Sequence, residues 1–380
     1  MQIQSKLPNI GTTIFTIMSK MAQEYGAINL SQGFPDFPLA PELIDGVHHY
    51  MKQGMNQYAP MPGVPILRQR IAEKLQRAHG IKVDMDTEIT VTSGAIEAIN
   101  SAMTTIIQPG DEVIIMDPAY DAYEPVIEVN GGKAVAVPLR QPDYSIDWEA
   151  VAEKIGPRTR MILINSPHNP SGAVISEEDL EQLEALVKDT GIWVMSDEVY
   201  EHIVFDGLKH QTVLKRPELR KRSLVTYSFG KTFHATGWRI GYLIAPPALM
   251  SEVRKVHQYN TFTVHTPTQF AIADHLANPE NYESIAGMYQ QKRDFFLEQM
   301  ADSKFTPVKA SGTYFQLMNY SAISDMPDVE MAEWLTKEKG VASIPMSIFY
   351  QDRQDNKVLR FCFAKGEETL SEAAKLLCAL

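Results

Sequence analysis

Lys231 sits in the stretch SFGKTFHATGWRIGY, residues 228–242, with Ser228 three residues before it and Arg239 eight after. A lysine amine condenses with an aldehyde to form a Schiff base. A hydroxyl and an arginine close by grip a phosphate, the arginine in two-pronged fashion. Two other readings of the same letters fail. A phosphate-cradling P-loop needs a glycine five residues before the Gly230-Lys231 pair, and Val225 stands there inside an apolar run. A serine acyl-transferase of the S-x-x-K type needs S-D-N and K-T-G partners, and this chain has MSDE at 195–198 and KTF at 231–233. The plain alternative is a solvated lysine on an ordinary loop.

Aldehyde and phosphate occur together in pyridoxal phosphate, and that ligand makes further demands which the sequence meets. Its ring nitrogen needs a buried carboxylate to stay protonated. Asp197 ends the apolar run IWVMS and opens SDEVYEH, although an aspartate there also suits a cap or turn. The ring's phenolic oxygen needs donors, and Asn169 in NSPHNPSG and Tyr200 in SDEVY can serve. The Asn-Pro and Ser-Gly pairs alone would read as a turn. The phosphate needs backbone N–H groups, and Ser93, Gly94 and Ala95 in TSGA join a strand to a helix start. Tyr120 in DPAYDAY offers a face to stack on the ring, unless Tyr120 and Tyr123 are core aromatics. Arg360 in KVLRFCFA shares a strand face with Val358 and Cys362 and suits a substrate carboxylate. An arginine that snorkels from an edge strand is the alternative. No H-E-x-x-H or Cys/His cluster points to a metal, and no G-x-G-x-x-G follows a strand.

The elements that must position these residues read as α/β. Continuously apolar runs predict strands at 89–92, 112–116, 133–138, 160–165, 192–196, 224–228 and 239–245. Helix-period segments lie between them at 95–107, 147–155 and 176–188. Such alternation predicts a mostly parallel central sheet with flanking helices. Residues 1–40 read as loop-rich, and residues 271–380 as a smaller α+β part, with helices at 281–302, 329–339 and 369–380 and strands at 313–318 and 358–363. The polar stretch 289–303 reads as a solvated helix. The division expected is a small domain of residues 1–40 and 271–380 and a large cofactor-binding domain of residues 41–270. A chain of 380 residues suits about two domains. The net charge of -12 argues against nucleic-acid or anionic-membrane partners, which need a basic face. Two cysteines, no apolar leader in MQIQSKLPNI and no membrane-length apolar run predict a cytoplasmic protein.

Taken in order and spacing, SQGFPDF, NQYAPMPG, TSGA, NSPHNPSG, SDEVYEH and SFGKTFHATGWRIGY resemble the fold-type I, class I aminotransferases dependent on pyridoxal phosphate. The resemblance spans about residues 5–380 and is strongest to the kynurenine and methionine aminotransferase branch, through GTTIFTIMS, VRKVHQY, TFTVHTP and SIPMSIFY. It implies a homodimer with shared sites. Lys231 then matches the Schiff-base lysine, Asp197 the ring-nitrogen partner, and Asn169 and Tyr200 the phenolate partners. Ser228, Arg239 and the backbone of Gly94 and Ala95 match phosphate ligands, and Tyr58 the tyrosine reaching the phosphate from the neighbouring subunit. Tyr120 matches the stacking position, Gly33 the close approach to the substrate carboxylate, Arg360 its arginine, and Phe15 an aromatic of the side-chain pocket. Ala95 departs from members with a hydroxyl there.

The reaction implied is ping-pong transamination between an amino acid and a 2-oxo acid, with Lys231 moving the α-proton. Members specific for acidic amino acids carry a second arginine in the segment matching 258–265, which here reads QYNTFTVH. A pocket of Phe15, Tyr58, Tyr120 and Phe262 favours an uncharged side chain, methionine above all because thioether sulfur packs well on aromatic rings. Aromatic amino acids, histidine and kynurenine stay open. A carbon–sulfur β-lyase on the same fold is the nearest alternative, and a non-catalytic binding module the remote one.

Overall fold

The computed structural model describes residues 3–380. Seven strands form the central sheet: β1 (Ile89–Thr92), β2 (Glu112–Asp117), β3 (Lys133–Pro138), β4 (Thr159–Asn165), β5 (Trp193–Asp197), β6 (Ser223–Ser228) and β7 (Gly241–Ile244). Their spatial order is β1-β7-β6-β5-β4-β2-β3. Only β7 runs against the others. The expected mostly parallel sheet is therefore present, and its interior strands are buried on both faces, which is why they read as unbroken apolar runs. Apolar clusters cover both faces, one including Leu163, Met195, Leu224 and Leu243, the other Ile164, Val194, Val225 and Tyr242.

Register brings the chemistry together. Asn165 pairs with Asp197, and Asp197 with Thr226, so the ends of β4, β5 and β6 lie side by side. Thr92 and Ser228 both pair with Gly241. That sets the start of helix Gly94–Ile106 next to the segments that carry Ser228 and Arg239. The carboxyl ends of strands are where open α/β sheets bind ligands.

A second, antiparallel sheet contains β8 (Thr306–Pro307), β9 (Phe315–Asn319), β10 (Ile344–Pro345) and β11 (Val358–Cys362), in the order β10-β11-β9-β8. Helices Ile14–Tyr25, Asp328–Glu338 and Glu367–Cys378 belong to this part. Ile28–Asn29 pairs in parallel with Val341–Ala342, tying the N-terminal segment to the C-terminal part.

Several local expectations change. Residues 1–40 are not merely loop: Thr13 caps a helix over Ile14–Tyr25 by accepting from the Thr16 amide. Strand 239–245 begins only at Gly241, because Arg239 adopts φ +51° and turns the chain toward Gly94. The helix expected over 281–302 breaks at Ser284 into Glu280–Glu283 and Ile285–Gln299. Its polar half is not fully solvated either. Tyr289, Arg293 and Phe296 are buried, with the Tyr289 hydroxyl on His234 and Arg293 paired to Asp206. The strand expected at 313–318 is Phe315–Asn319, since Thr313 takes a positive φ.

Candidate active site

One cleft at the ends of β4, β5 and β6 is lined by Ala95, Tyr120, Tyr123, Asn165, Asn169, Asp197, Tyr200, Ser228, Lys231 and Arg239. Lys231 follows β6 in a short helix, Phe229–Thr232. Its Nζ donates to the Tyr314 hydroxyl at 3.0 Å and lies 3.5 Å from the Gly33 carbonyl. Tyr314 in turn donates to that carbonyl at 2.6 Å. The amine also lies over the Tyr200 and Tyr314 rings. Desolvation lowers its pKa from the usual lysine range to about 8, and the charges of Arg360 and Arg239 push the same way. A lysine so poised is partly neutral near pH 8 and fit for nucleophilic and proton-transfer work.

Asp197 is the last residue of β5 and is buried. The Tyr123 hydroxyl donates to its Oδ2 at 2.7 Å, and the Val199 amide to its Oδ1 at 3.3 Å. Burial raises its pKa to about 6, against the pull of those donors. Asn165, at the end of β4, donates from Nδ2 to the Asp197 carbonyl at 2.8 Å, while its Oδ1 accepts the Asn169 amide at 2.8 Å. One side chain thus holds both flanking segments. Tyr200 stands edge-on to Tyr314, ring centroids 5.2 Å apart.

On another wall, Arg239 lies against Gly94. A Cβ on Gly94 would sit 2.8 Å from Arg239 Nη2, so only glycine allows this approach, and its φ of +74° also favours glycine. Ser93 caps helix Gly94–Ile106 without a side-chain hydrogen bond. The start of this helix lines the cleft with Ser228 and Arg239, and first-turn amides lack partners within their own helix.

Arg360, at the middle of β11, is 1% exposed. Its Nη1 donates to Asn169 Oδ1 at 2.6 Å and its Nη2 to the Ser31 carbonyl at 3.4 Å, while Nε has no partner. The guanidinium stacks 3.9 Å above the Phe315 ring and 5.2 Å from those of Phe15 and Phe349. It does not snorkel, and no carboxylate among the described residues forms an ion pair with it. Gly33 packs so closely on Phe315 that a Cβ would lie 2.8 Å from the ring. The loop Ser31–Gly33 can therefore pass close over the arginine.

Tyr58 is the exception. It is 83% exposed, edge-on to Phe262 at 5.4 Å, and makes no contact with the cleft in this chain. Sequence reasoning missed Tyr314, Asn165 and the part played by Tyr123, although Tyr123 stood in the motif beside Tyr120.

The residues suit pyridoxal phosphate on their own chemistry: a desolvated amine for an aldehyde, a carboxylate for a ring nitrogen, and a helix start with Arg239 and Ser228 for a phosphate. A family model for class I and II aminotransferases matches residues 25–377. The chain belongs to the class I and II aminotransferases. Dependence on pyridoxal phosphate and transamination, which the motifs implied, are the chemistry of this family. The methionine aminotransferase of Escherichia coli (strain K12) is 48% identical over 98% of this chain and 97% of its own length. A crystal structure of an Escherichia coli protein with methionine aminotransferase function matches with a TM-score of 0.98 at 48% identity, covering 100% of both chains. The N-succinyldiaminopimelate aminotransferase structure from Mycobacterium tuberculosis matches with a TM-score of 0.96 at 35% identity, again over 100% of both. Mouse kynurenine–oxoglutarate transaminase 1 is 32% identical over 100% of this chain and 98% of its own. Among the described residues no helix is long and apolar enough to cross a membrane.

Proposed function

We propose that this aminotransferase takes methionine as its preferred amino donor and a 2-oxo acid as acceptor, in two half-reactions at one site. The observation that carries the reading is Arg360, a buried guanidinium without an anionic partner, in a cage of Phe15, Phe315 and Phe349. A buried cation is costly until a carboxylate arrives, and the rings beside it suit an uncharged, polarizable side chain. The 48% identity to a methionine aminotransferase supports the same choice.

The geometry supports the following residue roles. Pyridoxal phosphate, when bound, supplies an aldehyde for an amine and a ring that takes up electrons from the substrate carbon. Lys231 Nζ would hold the cofactor's aldehyde carbon and, as a free amine, would move the α-proton. Asp197 would hold the proton of the ring nitrogen, with Tyr123 fixing the carboxylate. Because Asn169 Oδ1 already accepts from Arg360, its Nδ2 is left to donate to the phenolic oxygen, together with the Tyr200 hydroxyl. Tyr120 stacks on the ring. Ser93, Gly94, Ala95, Ser228 and Arg239 hold the phosphate. Arg360 and Gly33 receive the substrate carboxylate, and Phe15 packs on its side chain.

The same proposal includes a cytoplasmic homodimer in which Tyr58 reaches its partner's phosphate site; the exposure of Tyr58, Tyr259 and Phe262 supports it. It also includes a small domain made of the N-terminal segment and the C-terminal part. Helix Thr266–Leu276 packs on Pro41–Lys52 and Pro65–His79, which favours a boundary just after it rather than at 270. A panel of amino donors against one 2-oxo acid tests the function. Methionine should rank first by kcat/KM. Ammonia, thiol and pyruvate released from a cysteine conjugate, without a new amino acid, would favour the β-lyase instead.

A further inference from the structure

The segment Asp197–Glu201 has two faces. Asp197 and Tyr200 point into the cleft, whereas Glu198 and Glu201 point away from it into the protein. Behind them lies a buried polar chamber that the mechanism above does not use. Lys74, from helix Pro65–His79, is 3% exposed there. Its Nζ pairs with Glu201 Oε1 and donates to the Tyr242 hydroxyl at 2.7 Å, lying 5.2 and 5.3 Å from the Tyr227 and Tyr242 ring centres. Glu198 accepts from the Tyr227 hydroxyl at 2.8 Å and Ser196 Oγ at 2.9 Å, and it lies 2.9 Å from His210 Nε2. Tyr227 is on β6, one residue before Ser228, and Tyr242 is on β7, three residues after Arg239. The chamber therefore touches each backbone segment that presents Asp197, Ser228 or Arg239.

We propose that Lys74 tunes the charge on Asp197 and so acts on cofactor binding from behind: paired with Glu201 across the turn, it offsets the negative charge of Glu198 and Glu201 at Asp197's back. The proposal rests on Asp197 as the ring-nitrogen partner. Glu198 acts on Asp197 through its charge, raising the carboxyl's pKa. The other groups facing Asp197 are Tyr123, Lys231, Tyr120 and Tyr200. None of these touches the chamber, so a change of charge at Lys74 reaches Asp197 through the field of the chamber's carboxylates.

The test is equilibrium binding of pyridoxal phosphate to the full-length apoprotein as a function of pH. Affinity should fall on the acid side as Asp197 takes up a proton. Lys74→Met leaves excess negative charge behind the turn and should move that midpoint upward, by on the order of half a pH unit to one unit, which weakens binding near pH 7 by up to about twofold. Glu201→Gln keeps shape and removes one negative charge, so it should move the midpoint downward. Opposite shifts are the signature of charge acting on Asp197, since mere loosening would weaken binding in both variants and move the midpoint the same way. If Lys74→Met does not fold, the downward shift in Glu201→Gln and its absence in Ser196→Ala decide the matter. Midpoints that stay put, or that move together, overturn the proposal. A parent protein whose affinity is indifferent to Asp197→Asn overturns the assignment of Asp197 itself, and this inference with it.

Discussion

Replacing Arg360 with methionine should separate activity from stability, in opposite directions. The guanidinium is fully buried, lacks an anionic partner and leaves Nε unsatisfied. Burial holds its pKa below the usual arginine range, which marks the charged form as disfavoured there. Desolvating such a cation costs several kcal/mol. What it gains in the chain itself is one short hydrogen bond to Asn169, worth about 1.5–3 kcal/mol as a bond to a charged group, a long one to Ser31, and stacking on Phe315, worth up to about 2 kcal/mol. Methionine keeps a flexible apolar stem against Phe15, Phe315 and Phe349 but leaves Asn169 Oδ1 without its donor. These effects nearly cancel, so Arg360→Met should leave apoprotein stability unchanged or raise it by up to about 2 kcal/mol. Activity should move the other way. Losing a buried charge partner for the substrate carboxylate costs about 3–5 kcal/mol, a fall of roughly two to four orders of magnitude in kcat/KM. Denaturant unfolding of the apoprotein and steady-state kinetics with methionine give the two numbers. A variant destabilised by more than about 2 kcal/mol, or active within tenfold of the parent, would refute the view that Arg360 is kept for the substrate.

The remaining predictions concern the amine, the carboxylate and the second subunit. Lys231→Ala should abolish turnover and leave no borohydride-reducible adduct between chain and pyridoxal phosphate; an adduct that persists sinks the lysine assignment. In the apoprotein Asp197 binds its proton up to about pH 6, above its unfolded value of 3.8. The folded state therefore holds more protons than the unfolded between those values, and Asp197 contributes stability at low pH that is lost as pH rises from about 4 to 6. Asp197→Asn should remove that slope, so its melting temperature relative to the parent should climb across this window. For Lys231 the sign is reversed: its pKa is lowered to about 8, so the folded-state penalty lifts as pH rises from 8 toward 10.5, and Lys231→Met should gain most over the parent below pH 8. Mixing inactive Lys231→Ala with inactive Tyr58→Ala protein should restore activity through subunit exchange, since one site of a mixed dimer regains both residues. No recovery after confirmed exchange would place Tyr58 in its own subunit's site.

What was legible in the sequence was what depends on neighbours in the chain. The strands of the central sheet stood out because burial on both faces writes itself as an unbroken apolar run, and Lys231, Asp197 and Asn169 follow such runs closely. Several helices did not stand out, for a definite reason. Pro41–Lys52, Pro65–His79, Pro247–Asn260 and Thr266–Leu276 begin with proline in the first turn and have no side-chain cap, so the Ser/Thr/Asp signal that marked 176–188 was absent. Tyr314 reaches Lys231 across 83 positions, Lys231 reaches Gly33 across 198, and Lys74 meets Glu201 across 127. No local pattern encodes such contacts. Tyr123 could be read as a core aromatic, and in burial it is one; its hydroxyl alone gives it a part in the site.

Burial above all makes the cleft's lysine ready to react, and the charges of Arg360 and Arg239 add to it. Arg239 lines the cleft with Lys231, and Arg360 acts on the same amine; among the described residues Asp197 is the carboxylate in the lining, with Asp121 nearer Arg360, in a protein whose net charge is -12. Around the amine itself, the two arginines push its pKa down while Asp197 and Cys362 push it up. Like charges in a desolvated site raise each other's energy. The two arginines have no lower-energy state to fall into, because a guanidinium stays protonated. Lys231 does, and it yields its proton more readily under their influence. Anions at the two arginine positions, a phosphate at one and a substrate carboxylate at the other, would offset that influence. Substrate and cofactor binding should therefore raise the pKa of a free Lys231 amine after it has entered as a nucleophile, which is the direction needed for it to take up a proton next.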